Sequence, residues 1–312
     1  MTLEECYIVR VDTAEIECFL TVAGELHFAR AAERLGLTPS RVSQLVAGLE
    51  RKLGTSLFDR TTRRVRLTRE GQILADAIGP AYDSIRAALE RTRRRSSLPP
   101  GTLVVGQQGL AAGDVTTAIL TEFASMMPDW RIRVVELDFA NQLESVRAGN
   151  VDVALARLPV HEDDIVVGPV VVREPRALAV PADHPLAGRA EVSIEEIGDE
   201  FVFDLPSSAP EYWRDFHVPR ITPGGKPLKR RETVTNPVEL LALIGAGRGV
   251  SPMVASMNDY YPRPDVRYVP ITDMAPSEVA VIWLGERATP QTLAFASAAA
   301  VVAGHRRGHG AG

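Results

Sequence analysis

Two cysteines, Cys6 and Cys18, are all the thiols in 312 residues. That is too few for a disulfide scaffold, and their spacing suits no metal site, so they read as free thiols of a reducing compartment. Long apolar runs are missing too. None approaches the ~20 residues that cross a bilayer. The N-terminus carries Glu4 and Glu5 and lacks the basic-then-apolar order of a secretory signal, so a cytoplasmic protein is expected. Catalytic signatures are equally scarce. His27, His161, His184, His217, His305 and His309 are scattered without an HExxH pattern, and no Gly-x-Ser-x-Gly elbow occurs. Residues 245–251 hold three glycines but not the lysine–hydroxyl pair of a phosphate loop. An enzyme is not expected, and nothing calls for a cofactor or a metal.

What is present is ordinary in amount and uneven in placement. An apolar share of 45% and a charged share of 24% fit a globular protein long enough for two or more domains. Net charge is −5, yet residues 1–100 hold 16 basic against 13 acidic side chains, and the remainder holds 19 against 27. Basic charge concentrated at one end points to local binding of a polyanion.

Within that end, Ala31-Ala32-Glu33-Arg34-Leu35 reads as the close of one helix, stopped by Gly36 in the left-handed conformation. Thr38 is the N-cap of the next helix, Pro39 its first residue, and Leu37 and Val42 have the spacing of a hydrophobic staple. Two helices joined by so short a turn form a helix-turn-helix. On a wheel, Val42, Leu45, Val46 and Leu49 share an inward face. Ser40, Ser43, Gln44 and Ala47 lie opposite, flanked by Arg41 and Gly48. That outer face suits the major groove: Gln44 can pair with adenine, Arg41 with guanine or phosphate, and the serines with phosphate oxygens. A solvated amphipathic helix is the alternative. From Arg41 to Arg69, eight basic residues stand against two acids, including Arg60, Arg63 and Arg64 in a hairpin pattern. Such a basic hairpin reads as a wing that follows phosphates or enters the minor groove.

These residues resemble the LysR-type transcriptional regulators. The likeness runs through Phe19 and Val22, Leu26-His27-Phe28-Ala29-Arg30-Ala31-Ala32-Glu33-Arg34-Leu35 and Leu37-Thr38-Pro39-Ser40-Arg41-Val42-Ser43-Gln44. It continues at Leu49-Glu50, Leu53-Gly54, Leu57-Phe58-Asp59-Arg60, Arg63 and Leu67-Thr68-Arg69-Glu70-Gly71. The resemblance implies that the helix beginning at Thr38 enters the major groove and the hairpin around Arg63 the minor groove. It further implies homodimers or homotetramers on interrupted dyad-symmetric sites of double-stranded DNA. Two departures stand out: about ten residues precede the family's usual start, and Pro39 replaces the glutamine of many members.

Residues 69–95 have helical composition, with Leu74, Ile78, Ala81, Ile85 and Ala88 spaced as a coiled-coil seam. Pro80 should kink or open that helix. A dimerisation helix is expected because reading a dyad requires paired recognition helices; packing against its own domain alone is the other possibility. After Arg91–Arg95, residues 96–101 form a hinge.

Beyond it, strands and helices alternate: residues 103–106, 114–127, 131–137, 141–148 and 151–156. A second set follows at 166–172, 177–180, 201–203 and 237–244, before a return at 279–284 and 289–302. The alternation implies a parallel α/β sheet. Two such lobes resemble periplasmic-binding-protein domains, the fold of the LysR effector domain. The expected architecture is thus multi-domain α/β: a winged helix-turn-helix at 12–70, a linker helix at 71–96, and an effector domain at 101–304. Lobe I is placed at 101–160 and 270–304, lobe II at 161–269. Strand ends place Gln107, Gln108, Asn141, Arg157, Phe203, Thr235 and Asn236 as candidates for a small-molecule effector, with an anion suited to Arg157 and the helix starts. Asn141 and Asn236 can equally be helix caps, and Gln107 a turn residue. His305 and His309 fall in a Gly-rich tail expected to lack order. A solute-binding protein or an enzyme built on the α/β half is the alternative function, disfavoured by the missing signal and by the winged helix.

Overall fold

The computed structural model describes residues 10–60, 65–109 and 112–309, and the chain divides into two compact units, Met1–Ser97 and Leu98–Gly312. The first unit comprises α1 (Thr13–Glu25), α2 (Phe28–Leu35), α3 (Pro39–Leu53), β1 (Phe58–Arg60), β2 (Val65–Leu67) and α4 (Arg69–Ser96). Each helix begins where a side chain satisfies a backbone N–H that the helix itself leaves without a partner. Asp12 and Glu15 form a reciprocal capping box on α1. The His27 ring accepts from the Arg30 N–H at 3.4 Å. Thr38 Oγ1 accepts from the Arg41 N–H at 3.2 Å. Gly36 closes α2 at φ +64°, and the Leu37 N–H turns back to the Ala32 carbonyl at 2.9 Å. Phe19, Val22, Ala31, Val42, Val46, Leu49 and Leu57 make the core. Leu37 stays 40% exposed, so the staple covers little.

α4 forms one helix through Pro80, without the local opening that was one of the two effects expected there, a kink being the other. The seam it was expected to offer is divided. Leu74 and Ile78 pack against the core of their own domain, whereas Ala81 and Ile85 are exposed and Ala88 is half-buried, with Leu89, outside the expected seam, exposed beside it. The apolar stripe continues past the small domain that its first turns cover.

The second unit contains β3 (Thr102–Gln108), α5 (Asp114–Met126), β4 (Arg131–Leu137), α6 (Gln142–Arg147), β5 (Val153–Arg157), β6 (Ile165–Glu174), β7 (Arg176–Pro181) and β8 (Phe201–Asp204). After these come α7 (Glu211–His217), β9 (Lys229–Thr233), α8 (Pro237–Gly245), β10 (Ser251–Val254), α9 (Met257–Tyr260), β11 (Val266–Pro270), β12 (Ser277–Leu284) and α10 (Pro290–His309). The first lobe is a five-stranded sheet in the order β4-β3-β5-β12-β6. Its central strands are apolar on both faces: Val105, Leu155 and Val281 meet α5 and α10, while Val104, Ala154 and Ile282 meet α6. The second lobe carries the sheet β10-β7-β11 and the pair β8-β9.

Three expectations change here. The first sheet is mixed rather than parallel, because β12 runs antiparallel to both β5 and β6. Residues 165–174 belong to this first sheet, not to the second lobe, because returning β12 offers them a free edge from Ser277↔Glu174 to Leu284↔Ile165. The change of lobe occurs instead at Pro175, which lacks an N–H for the ladder and separates β6 from β7. Finally, the tail is helical to His309, and Arg306 ties it to Asp114 at 3.1 Å.

Candidate functional site

The outer face of α3 is the first candidate surface. Thr38, Pro39, Ser40, Arg41 and Gln44 are exposed and Ser43 is half-buried, while Val42, Val46 and Leu49 are fully packed on the opposite side. Among the described residues, no side-chain hydrogen bond or ion pair engages Ser40, Arg41 or Gln44. The helix is held from behind. Glu15 on α1 is buried and receives Lys52 Nζ of α3 at 2.8 Å. Burial pushes the Glu15 carboxyl up, but Lys52 and the Asp12 N–H outweigh it and hold it below the ordinary carboxylate range.

The hairpin is likewise clamped at its base. Glu50 accepts the Leu57 and Phe58 N–H groups at 2.9 and 3.3 Å. Thr68 donates to the Ser56 carbonyl at 2.8 Å. Arg60 pairs with Val65 at the open end of the ladder, Arg66 is exposed on β2, and Arg63 and Arg64 lie outside the described residues. His27 is the cap of α2.

The second candidate is a cavity of about 70 Å³ where the two lobes meet. On the measure by which one water needs roughly 10–15 Å³, it has room for a small organic molecule. Gln108 reaches it from the end of β3 and Arg157 from the end of β5, as strand-end reasoning expected. The other candidates lie elsewhere. Gln107 does not line the cavity. Phe203 is 1% exposed within the second-lobe core. Asn236 caps α8, its Oδ1 accepting the Glu239 N–H at 2.9 Å, and Thr235 bonds through its N–H and hydroxyl to Glu239. Asn141 precedes α6 but makes no cap bond, and its Oδ1 has no partner among the described residues.

Arg157 is not a spare cation. It is ion-paired to Glu174 at 3.0 Å and donates to Ser277 Oγ at 3.0 Å. The cation that strand-end reasoning missed is Arg176, the first residue of β7, 1% exposed. Its guanidinium donates to the Met253 carbonyl at 3.1 Å and the His217 carbonyl at 2.7 Å, and meets His217 Nδ1 at 3.4 Å. All three partners are neutral acceptors. His217 Nε2 faces the Leu158 carbonyl at 3.2 Å and must carry the proton there, leaving Nδ1 as acceptor for Arg176. Burial, followed by Arg176 and Arg157, pushes the imidazole well below its ordinary range, so it is neutral near pH 7. Burial and the neighbouring Arg157 lower Arg176 to about 10, still charged. Trp213, one turn before His217 on α7, donates Nε1–H to the Arg157 carbonyl at 2.9 Å. The sequence signal for Arg176 is faint: one arginine opening an otherwise apolar strand after a proline.

Among the described residues there is no cluster of His, Cys, Asp or Glu able to hold a metal, and no helix long and apolar enough to cross a membrane. Residues 13–72 match the bacterial regulatory helix-turn-helix protein, lysR family, and residues 96–302 match the LysR substrate binding domain. The HTH-type transcriptional regulator AlsR of Bacillus subtilis (strain 168) is 30% identical over 207 residues, 66% of this chain and 68% of AlsR. ShiR of Corynebacterium glutamicum (strain R), another HTH-type transcriptional regulator, is 30% identical over 237 residues, 76% of this chain and 80% of ShiR. Full-length CbnR, solved in complex with its target DNA, shares the fold at 19% identity. The TM-score is 0.56 over 94% of this chain and 100% of that one.

Proposed function

Because the chain belongs to the LysR family of DNA-binding transcriptional regulators, we propose a division of labour along it. Regulators of this family bind DNA, sense a small molecule and assemble as homo-oligomers; they are not enzymes. In this chain, residues 12–70 read a dyad in duplex DNA, interrupted between its half-sites, working in the cytoplasm. The face Thr38, Pro39, Ser40, Arg41, Ser43 and Gln44 enters the major groove, and Arg60, Arg63, Arg64 and Arg66 follow the phosphates. Residues 71–96 join two copies through the exposed end of the α4 stripe. The α/β half, 101–304, receives its effector in the cavity lined by Gln108, Arg157 and Arg176, where both lobes contribute a wall.

The observation that carries the DNA reading is the polarity of α3: a fully packed inner face against an outer face short of acids. Gln44 is the longest neutral amide there and can pair bidentately with adenine. Gln44→Ala is expected to relax discrimination at one base pair of each half-site by about 1–3 kcal/mol, measured by binding to a library randomised at the half-sites. An equal loss on every sequence would show that Gln44 only positions the helix on the backbone.

A further inference from the structure

The charges around the cavity do not balance, and the imbalance identifies a ligand class. Two guanidinium groups, Arg157 and Arg176, lie at the junction of the lobes with one carboxylate, Glu174, which is committed to Arg157 at 3.0 Å. His217 adds no charge near neutral pH. The cluster therefore holds one positive charge more than it neutralises, in a wall whose other residues are mostly apolar, among them Phe139, Leu205, Trp213, Leu240 and Met257, with Gln108 and Ser251 the polar exceptions. An uncompensated buried charge is costly unless a partner of opposite sign arrives. Arg176 is also incompletely bonded. Its three contacts engage Nε, Nη1 and Nη2 once each, and a guanidinium has five N–H donors. One donor on each terminal nitrogen is left over among the described residues, the number that a bidentate carboxylate takes. Gln108 lines the same cavity, is 4% exposed, and neither atom of its amide has a partner among the described residues.

We propose that the effector is a small monocarboxylate with an apolar body, its carboxylate held between Arg176 and the Gln108 amide and its body against Trp213, Leu240 and Met257. A single negative charge neutralises the cluster. A second would lie in an apolar pocket whose other guanidinium already has its carboxylate. Arg176 belongs to the second lobe and Gln108 to the first, so the bound anion ties the lobes beside the Pro175 crossing. This inference rests on the cavity being the effector site.

The test uses the full-length protein with isovalerate and benzoate as probes, against their uncharged amides and succinate, read by thermal shift and calorimetry. The acids are expected to raise the melting temperature in a concentration-dependent way. The amides should bind at least about thirtyfold more weakly, as should the acids to Arg176→Gln. Gln108→Leu, which removes an unsatisfied buried amide, should melt no lower without ligand and bind the acids about tenfold more weakly; it decides the matter if Arg176→Gln does not fold. Equal binding of acid and amide, tighter binding of succinate, or no shift by either acid up to about 10 mM, where even a millimolar site saturates, would overturn the proposal. Met257→Trp, which fills the cavity, separates the two readings. A neutral compound that binds the wild type but not this variant would keep the site and refute the monoanion. Acids that bind both proteins alike would refute the site itself.

Discussion

Glu15 illustrates how a single charge is put to structural use. It is buried between α1 and α3, accepts the Asp12 N–H at 2.9 Å and receives Lys52 at 2.8 Å. Its folded pKa is depressed, so the stability it contributes is complete above the unfolded glutamate value of about 4.3 and is lost as pH falls through the lower folded value. Lys52 is 40% exposed and partly screened, so Glu15→Gln should cost roughly 1–2 kcal/mol at pH 7. Urea titrations across pH should show that difference shrinking towards zero in acid; a constant deficit would mean that packing, not charge, is responsible. Gly71 is constrained by space instead. A Cβ there would run into the Leu57 carbonyl and crowd Leu67, because the hairpin base and the first turn of α4 touch backbone to backbone. Gly71→Ala should therefore lower stability by about 3 kcal/mol or more, visible as a lower melting temperature of the full chain. Neither role was legible in the sequence, because nothing in one dimension says that Lys52 will meet Glu15 or that the hairpin base will touch Gly71.

At the scale of the element, α4 shows what periodicity can and cannot say. Its 28 residues span on the order of 42 Å, longer than a small domain is wide. The seam spacing identified an apolar stripe but not what covers each part of it. Leu74 and Ile78 are taken by the helix's own domain, and the stretch with Ile85 (48% exposed) and Leu89 (67%) is open. Ile85→Asp with Leu89→Asp should thus yield monomers in sedimentation while leaving the winged domain folded by circular dichroism. Ile78→Asp should instead unfold that domain, as a charge introduced against a packed core does. A dimer that survives the first double substitution would put the interface elsewhere. The strands of the α/β half were readable because apolar runs bounded by turns mark them, but partner and direction were not. β6 looks like a strand of either lobe until the returning β12 supplies its edge.

On the scale of the whole molecule, charge is segregated: the basic surplus lies in the first 100 residues, although the net charge is −5. The acidic remainder limits non-specific attraction to polyanions, so affinity rests on a few cations in the DNA-binding unit. Arg41→Ala and Arg66→Ala should each reduce the magnitude of the salt slope of DNA binding by about 1 if the side chain neutralises a phosphate. An unchanged slope, measured by titration at several salt concentrations, would remove that residue from the interface.

Local chemistry determined most of the DNA-binding half. A glycine with positive φ, a threonine cap, a proline at the first helical position and an apolar face at helical spacing are properties of contiguous residues, legible without a partner. The cavity was decided by tertiary structure. Strand ends brought Gln108 and Arg157 into view, but Arg176, the Trp213–His217 turn of α7, and Met257 come from three separate stretches of chain and meet only when two sheets join across Pro175. Whether an arginine is spare depends on which carboxylate folding places beside it. Glu174 went to Arg157, and that assignment, invisible in one dimension, left the charge at Arg176 for a ligand to answer.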